Sequence, residues 1–341
     1  MDFTTLKTTA QTQLDPIAWS YYQGTAGGDP EIDHAAWQEI ALVPRVMQGL
    51  TAIDQSLTLG GAQLQTPIMV AASAGHGLAD PAGEVATARA AAAVGALMVY
   101  SSSATIDVTT FGAAAPGHWW AQIYLMQDRR LSDTYVANAV AAGAEALVLT
   151  VDLAGSLADA PFRSATQSRL GARPGNFPGL RWEQMSAQIE PNLRPEHIAE
   201  LAAASGLPVH VKGVLHPDDA RIAVEAGAAG IIVSSHGRRQ IDGVVPTAVM
   251  TADVVAAVDG RVPVAVDGGI RSGTDVFRAL ALGATAVGVG RPVLWGLAAS
   301  GEAGVVAVLS QLIAEFRQTM AAGGAGALDR INSTMVRTPR R

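Results

Sequence analysis

Eight short apolar segments, rich in β-branched residues, recur along the chain. Their hydrophobicity is continuous rather than alternating, which is typical of parallel strands that are buried on both faces. The segments span residues 67–72, 96–102, 120–125, 146–151, 208–213, 230–235, 263–269 and 285–291. The pattern therefore predicts eight parallel strands.

Alanine-rich segments with helical spacing separate most of these strands. Several of them end in glycine, as the C-terminus of a helix prefers. They span residues 84–95, 135–144, 216–228, 251–260, 272–284 and, near the end of the chain, 301–320. Repeated strand–helix alternation implies a parallel sheet that closes on itself, so the predicted fold is α/β, a single TIM (β/α)8 barrel.

Three regions depart from this alternation. Residues 1–45 precede the first strand and are predicted to form N-terminal helices that cap the barrel. Residues 153–194 form a connection too long for an ordinary barrel loop, and we interpret them as a mobile active-site loop region; disorder without function is the alternative. The basic end, 336–341, is expected to be solvated. We expect one barrel domain over residues 1–341.

Composition and charge narrow the class of function. A net charge of −7 and the lack of any Lys/Arg-rich run argue against nucleic acids and anionic membranes, and favour a small-molecule substrate. The chain has no cysteine, which excludes disulfides, thiolate metal sites and a cysteine nucleophile and fits a reducing cytoplasm. Neither a signal peptide nor a membrane span is indicated. We therefore expect a cytoplasmic protein that has no membrane or nucleic-acid partner and no bound metal.

Polar residues follow every predicted strand. In barrels of this kind, the carboxyl ends of the strands form the active site. The residues are Ser73, Gly75, His76, Ser101, Ser102, Gln122, Tyr124, Thr150, Asp152, Lys212, Ser234, His236, Asp267, Arg271, Gly290 and Arg291. Any one of them could serve packing, but a ring of polar residues above eight apolar strands indicates a site.

Three motifs within this ring point to particular chemistry. DGGIR (267–271) and GVGRP (288–292) combine glycines with arginines after the last two strands, where backbone N–H groups and guanidinium groups can bind a phosphate. SSHGRRQIDG (234–243) follows the sixth strand and places His236 and Arg239 three residues apart. A histidine can accept a proton near neutral pH and an arginine can bind a carboxylate through two hydrogen bonds, although His236 could also be a structural loop residue.

These motifs and other segments resemble the FMN-dependent α-hydroxy acid oxidase and dehydrogenase family, which includes glycolate oxidase, lactate oxidase and mandelate dehydrogenase. The similarity covers nearly the whole chain. It is carried by YYQGTAGG (21–28), PIMVAASAGHGLADPAGE (67–84), AQIYLMQDR (121–129), PVHVKGV (208–214), GIIVSSHGRRQIDG (230–243) and VDGGIRSGTDVFRALALGA (266–284). The resemblance implies non-covalent FMN, oxidation of a 2-hydroxy acid or a related small substrate, and assembly as a homotetramer or homo-octamer.

The resemblance also implies a role for individual residues in cofactor binding. Residues that would line the flavin or hydrogen-bond its ring are Ala72, Ser73, Ala74, Ser102, Gln122 and Thr150. Lys212 would lie beside the N1/O2 edge, where a cation stabilises the charge of the reduced ring. Residues that complete the cofactor site, including its phosphate end, would be Ser234, Asp267, Gly269, Arg271, Gly290 and Arg291.

On the substrate side, His236 matches the family's catalytic base and Asp152 matches the carboxylate that stabilises its imidazolium form. Arg239 matches the group that binds the substrate carboxylate. Tyr124 and Tyr21 match the two tyrosines that contact substrate. Transfer of electrons to flavin N5 would accompany removal of the proton by His236.

The departures from the family pattern lie on the substrate side. An ungapped match places Asp159 where the family has a second substrate arginine, although Arg163 or Arg169 could restore the charge. Ser235 replaces the usual asparagine and Arg238 replaces a small residue. We therefore expect glycolate and L-lactate to be poor substrates. The alternatives are oxidation of a carbon next to nitrogen in a biosynthetic intermediate, an FMN-barrel isomerase, and a non-catalytic flavin-binding subunit.

Overall fold

The computed structural model describes residues 2–153 and 169–338. The sequence interpretation that concerns Asp159, and with it the possible contribution of Arg163, lies outside the described residues. Arg169 is described and is exposed.

Eight parallel strands close into a barrel in which each strand pairs with its neighbours in chain order. The strands are β4 (Ile68–Ser73), β5 (Met98–Ser101), β6 (Trp119–Ile123), β7 (Leu147–Thr150), β8 (Val209–Val214), β9 (Gly230–Val233), β10 (Val264–Asp267) and β11 (Ala286–Val289). The pairing of Val287 on β11 with Ile68 on β4 completes the ring. All eight predicted strands are confirmed to within a few residues, as is the predicted barrel.

Helices surround the barrel. They are α1 (Phe3–Gln13), α2 (Pro16–Gln23), α3 (Ile32–Gln38), α4 (Gly83–Ala93), α5 (Val108–Ala114), α6 (Arg129–Ala141), α7 (Trp182–Ala187), α8 (Glu196–Ser205), α9 (Pro217–Glu225), α10 (Thr247–Val258), α11 (Gly273–Ala281) and α12 (Arg291–Gly323). Local sequence explains several starts: Asp15 caps α2 ahead of Pro16, and Ser272 forms a capping box with Asp275 on α11.

The last helix, α12, is broken near its middle. The backbone leaves helical geometry at Ser300 and at Gly301, where a φ of 58° suits glycine. By length and composition α12 could cross a membrane, but half of its most apolar 18-residue stretch is buried inside the fold. Because it packs against α1, α4 and α11, we interpret it as a core helix.

The end of the barrel opposite the strand carboxyl ends is filled by a compact apolar cluster. A short hairpin, β2 (Leu57–Leu59) and β3 (Ala62–Leu64), covers this end. The cluster consists of Leu59, Ala62, Leu64, Met69, Leu97, Val99, Trp120, Ala146, Val148, Ile232, Ala265 and Ala286. Within the described residues, the barrel interior is therefore filled at this end and open toward the other one.

Two expectations from the sequence need correction. Residues 153–194 are not loop throughout, because their described part contains α7 and a β-bridge between Ile189 and Met126. The end of the chain is not fully solvated either. Val336 is buried because β12 (Val336–Arg337) pairs with β1 (Ala41–Leu42).

His210 is an unusual component of the barrel interior. Its ring stacks on Trp120 with the ring centroids 4.0 Å apart. Gly230 on the neighbouring strand leaves room for it, since a Cβ there would collide with His210 Nδ1. Burial lowers the pKa of His210 to about 4 from the usual 6.5. The folded protein therefore keeps this imidazole neutral at a pH where the unfolded chain would protonate it.

We predict that His210→Leu reduces the acid sensitivity of the fold. Below pH 6.5 the unfolded chain binds a proton at His210, but the folded protein does so only near pH 4, so stability falls as the pH drops through this window. Between pH 7.5 and 5 this group should cost the parent about 2 kcal/mol of unfolding free energy, measured by urea titration. The variant should lose about 2 kcal/mol less over the same interval. Parallel pH profiles for the two proteins would contradict this assignment.

Candidate active site

A cavity opens at the carboxyl ends of the barrel strands, where the sequence predicted a site. It encloses about 1200 Å³ together with its open mouth. Its walls carry the predicted site residues Tyr21, Ala72, Ser73, Ala74, Gln122, Tyr124, Thr150, Lys212, His236, Arg239, Asp267, Gly269, Arg271, Gly290 and Arg291. The structure thus brings together residues from the N-terminal cap and from seven of the eight barrel strands or the turns that follow them.

Lys212 places a buried positive charge in the cavity wall. Its side chain is about 6% exposed, and its Nζ donates to Ser234 Oγ over 2.8 Å and lies 3.3 Å from Asp267 Oδ2. Ser234 in turn donates to Asp267 Oδ1 over 2.6 Å. Because this pair of residues fixes the ammonium from behind, Lys212 presents a cation of defined position to the cavity.

Gln122 organises the neighbouring polar wall. Its Oε1 accepts hydrogen bonds from the Ser101 hydroxyl and from the Ser102 backbone N–H, and its Nε2 donates to Thr150 Oγ1 over 3.0 Å. These bonds set the orientation of the Gln122 amide. The wall therefore offers donors and acceptors of fixed direction, as recognition of a flat heterocycle requires.

His236 is held from one side by a carboxylate. Its Nδ1 lies 2.8 Å from Asp152 Oδ1, and its Nε2 lies 3.4 Å from the hydroxyl of Tyr124. Burial lowers the pKa of His236, against the influence of Asp152, while Lys212 and Arg239 lower it further. Burial acts to raise the pKa of Asp152, but His236 and Lys212 outweigh it and hold that pKa below its usual value. The pair is therefore a neutral imidazole beside an ionised carboxylate.

Arg239 lies against the N-terminal cap. Its guanidinium donates to the backbone carbonyl oxygens of Tyr21 and Tyr22. The guanidinium carbon also lies 4.9 Å from the centroid of the Tyr21 ring, a cation–π contact. Helix α2, which carries both tyrosines, thus positions this arginine at the cavity wall.

The far end of the cavity has the chemistry of a phosphate site. Gly268 and Gly269 have φ values of 98° and 79°, and a Cβ on Gly269 would collide with the backbone of Asp33. Arg291 begins α12, so its charge adds to the partial positive charge of a helix N-terminus. Burial and the like charges of Arg239 and Arg271 lower the pKa of Arg291. A dianion bound here would relieve this repulsion.

The buried hydrogen-bonding capacity also fits an anionic group. Arg271 Nε has no hydrogen-bond partner within the described part of the chain, although the side chain is buried and lines the cavity. Arg271 NH2 is paired with Glu31 over 3.2 Å, and its guanidinium carbon lies 5.1 Å from the centroid of the Trp295 ring. The residues present therefore fit a phosphorylated cofactor.

Three predicted site residues lie behind the wall rather than in it. Ser102 and Ser234 are buried and act through Gln122 and Lys212, and Asp152 acts through His236. Other wall residues were not assigned a role from the sequence: Ser101, Ser103, Leu153, Met185, Ser186, Ile189 and Gln240. Four of these come from the region after β7, whose only signal in the sequence was its unusual length.

An anion site beside an oriented histidine at the mouth of a barrel is the arrangement expected of an enzyme that binds a phosphorylated ligand. A family model described as FMN-dependent dehydrogenase matches residues 10–338. Glycolate oxidase 3 of Arabidopsis thaliana is 41% identical over 346 residues, which cover 96% of this chain and 94% of that protein. Glycolate oxidase of Spinacia oleracea is 40% identical, with 96% and 93% covered. The solved structure of a mandelate oxidase superposes with a TM-score of 0.88 at 34% identity, covering 99% of this chain and 98% of that one.

The chain belongs to the FMN-dependent dehydrogenase family. Its cofactor is FMN, as the resemblance implied, and it is an oxidoreductase of the 2-hydroxy acid oxidase type. Arg271, Arg291 and the glycines beside them would hold the phosphate. Gln122, Thr150 and Lys212 would face the isoalloxazine ring.

We predict that Arg291→Ala weakens FMN binding by about 10- to 100-fold, because a hydrogen bond to a charged group contributes about 1.5–3 kcal/mol. The measurement is quenching of flavin fluorescence during titration of the apoprotein. Arg317→Ala is the matched control, since Arg317 lies on the same helix but is exposed and donates only to the carbonyl of Ile53 among the described residues. Equal affinity in the two variants would rule out a phosphate contact by Arg291.

We predict that Asp152→Asn shifts the acid limb of kcat/KM to lower pH. His236 must be neutral to accept a proton, so activity falls as the pH drops through the pKa of His236, which burial holds below its usual value. Loss of the carboxylate that favours the imidazolium should shift the decrease in kcat/KM to lower pH. It should also slow flavin reduction by at least about tenfold. Glu145→Gln removes a carboxylate from a comparable pair with His118, outside the cavity, and should leave the profile unchanged. An unshifted limb in Asp152→Asn would contradict the coupling.

Proposed function

We propose that the protein oxidises the hydroxyl-bearing carbon of a 2-hydroxy acid, with His236 as the base and FMN as the electron acceptor. The observation that carries this proposal is one shared cavity. His236, Arg239 and two tyrosines line the same cavity as the residues that fit FMN, and Asp152 lies directly behind His236. FMN supplies the two-electron acceptor when it is bound.

Proton transfer is assigned to one atom of His236. Because Nδ1 is hydrogen-bonded to Asp152, that nitrogen carries the proton in the neutral tautomer and Nε2 is the free base. Nε2 also lies beside the Tyr124 hydroxyl, which is placed to contact the same substrate oxygen. Asp152 then stabilises the imidazolium that forms when Nε2 takes a proton.

Arg239 is assigned to the substrate carboxylate. A guanidinium can bind both oxygens of a carboxylate in a planar fork, and its position is fixed here by the carbonyls of Tyr21 and Tyr22. Tyr21 and Tyr124 lie on the wall of the same cavity. The substrate would therefore place its carboxylate at Arg239 and its hydroxyl at His236.

Lys212 is assigned to electrostatic stabilisation of electron transfer. Its ammonium is buried and lies 3.3 Å from Asp267 Oδ2. In a low-dielectric wall, a fixed cation stabilises negative charge that develops nearby without reorganisation of solvent. Lys212 thus favours the reduced form of whatever acceptor lies beside it.

Part of the cavity wall is apolar, which favours an apolar 2-substituent on the substrate. Leu153, Met185 and Ile189 contribute to it, and the sulfur of Met185 lies 3.7 Å from the Ser103 hydroxyl. Methionine adapts to irregular apolar groups, and each buried methylene is worth about 0.8 kcal/mol. Hydroxy acids with a longer alkyl or an aryl 2-substituent should therefore be better substrates than glycolate, which has none, or L-lactate, which has only a methyl group.

The setting of the protein is also part of our proposal. We infer a homotetramer or homo-octamer that works in the cytoplasm. Support comes from the family resemblance, from the absence of cysteine, and from the exposed apolar side chains of Val46 and Met47, which are 69% and 95% exposed.

We predict that anaerobic mixing with mandelate or 2-hydroxyoctanoate bleaches the flavin absorbance, and that His236→Ala slows this reduction at least about 100-fold, the usual contribution of a general base. His118→Ala is the matched control because His118 lies outside the cavity. Amino acids and cyclic amines complete the panel. If only the amines reduce the flavin, or if the His236 variant keeps the parental rate, the proposed reaction or its base is wrong.

A further inference from the structure

The turn that carries His236 has an uncommon backbone. His236, Gly237 and Arg238 have φ values of 54°, 63° and 63°, so two residues with side chains occupy the left-handed region. Such a conformation persists only where surrounding contacts hold it, and it is found preferentially at functional sites.

Asp33 is a buried acidic residue on helix α3 of the N-terminal cap, and it contacts this turn. Its side chain is 2% exposed. Its Oδ2 accepts a hydrogen bond from the Ser235 hydroxyl over 2.6 Å, and its Oδ1 lies 3.8 Å from the Arg238 guanidinium. Both partners belong to the turn around His236. Asp33 therefore contacts the residues immediately before and shortly after the base.

The same helix also holds the phosphate end of the cavity. Trp37 Nε1 donates to the carbonyl oxygen of Gly268 over 2.8 Å, and His34 Nδ1 lies 3.0 Å from that of Gly269. A Cβ added to Gly268 would lie 3.2 Å from Asp33 Oδ2. Helix α3 thus packs against the turn after β9 and the turn after β10 at once.

From this juxtaposition we propose that Asp33 is a positioning residue that ties the turn of His236 to the FMN phosphate turn, with Arg238 as its charge partner. The proposal rests on the proposed function for the role of His236. Arg238 is 3% exposed and donates to the Val244 carbonyl over 2.7 Å, so its guanidinium is fixed beside Asp33. Ser235 and Arg238, the two departures from the family pattern next to His236, are then parts of one device.

The two charges of this pair are not equivalent. Burial raises the pKa of Asp33, and Ser235 and Arg238 oppose that effect, while the nearby Asp267 adds to it and Arg291 opposes it. Without Arg238, Asp33 can take up a proton and become neutral. Without the Asp33 charge, a buried guanidinium remains that cannot become neutral in this way. Loss of the carboxylate charge should therefore be the more damaging change.

The test is a double-mutant cycle made of Asp33→Asn, Arg238→Met and the two together. Asp33→Asn keeps an acceptor for Ser235 but removes the charge. It should raise the FMN dissociation constant and slow flavin reduction, each by at least about tenfold, because it leaves a buried charge unpaired. Arg238→Met should lose only about threefold in FMN affinity and in the rate of flavin reduction. The double variant should have values within about threefold of those of Arg238→Met.

Asp107→Asn is the control for a general loss of stability. Asp107 caps α5 and is not part of the cavity wall, so its variant should lower the melting temperature and leave FMN affinity and reduction unchanged. An equal loss of FMN affinity in this control would overturn the proposal. The proposal would also be overturned if Asp33→Asn had the parental FMN affinity and reduction rate, or if the double variant were as impaired in both as Asp33→Asn. If no hydroxy acid reduces the parental flavin, the proposed function fails, but the FMN-affinity arm still decides the role of Asp33.

Discussion

Closure of the sheet by pairing of β11 with β4 is the constraint on which the rest of the structure depends. It brings the carboxyl ends of all eight strands into one ring, so residues as far apart in sequence as Ser73 and Arg291 line one cavity. Within the described residues, the hairpin and the apolar cluster fill the opposite end of the barrel, and the cavity opens at the carboxyl ends of the strands. The site is therefore a consequence of topology before it is a consequence of any single motif.

Sequence patterns could predict the barrel because each strand is a continuous apolar run followed by a polar residue. The motifs around His236 and Arg291 could be interpreted for the same reason, since each lies directly after a strand. The wall residues Met185 and Ile189 lie in a long connection without such periodicity, so its length indicated an active-site region but did not single out these two residues. Asp159 lies outside the described residues, so its place at the substrate site is still a prediction.

Asp33 has a weak signal in the sequence, which indicates a buried partner without identifying it. It lies four residues before Trp37, so both side chains share one face of α3, and both are buried. An acidic residue on the buried face of a short helix requires a partner, because an unpaired buried carboxylate is costly. That partner lies about two hundred residues away in the turn of His236, as the separation between Asp33 and Ser235 shows. Local pattern alone does not reveal a contact of that range.

The buried charges of the site follow one arrangement. Lys212 has Asp267, Arg271 has Glu31, and His236 has Asp152. Arg291 differs, because the described bonds of its guanidinium go to the carbonyl oxygens of Tyr22, Gly24 and Gly237. These neutral acceptors orient the guanidinium, and the carboxylates of Glu31 and Asp33 act on it from longer range, which leaves it available to a bound phosphate. Since Gly237 belongs to the turn of His236, the residue that would hold the phosphate also holds the turn that carries the base.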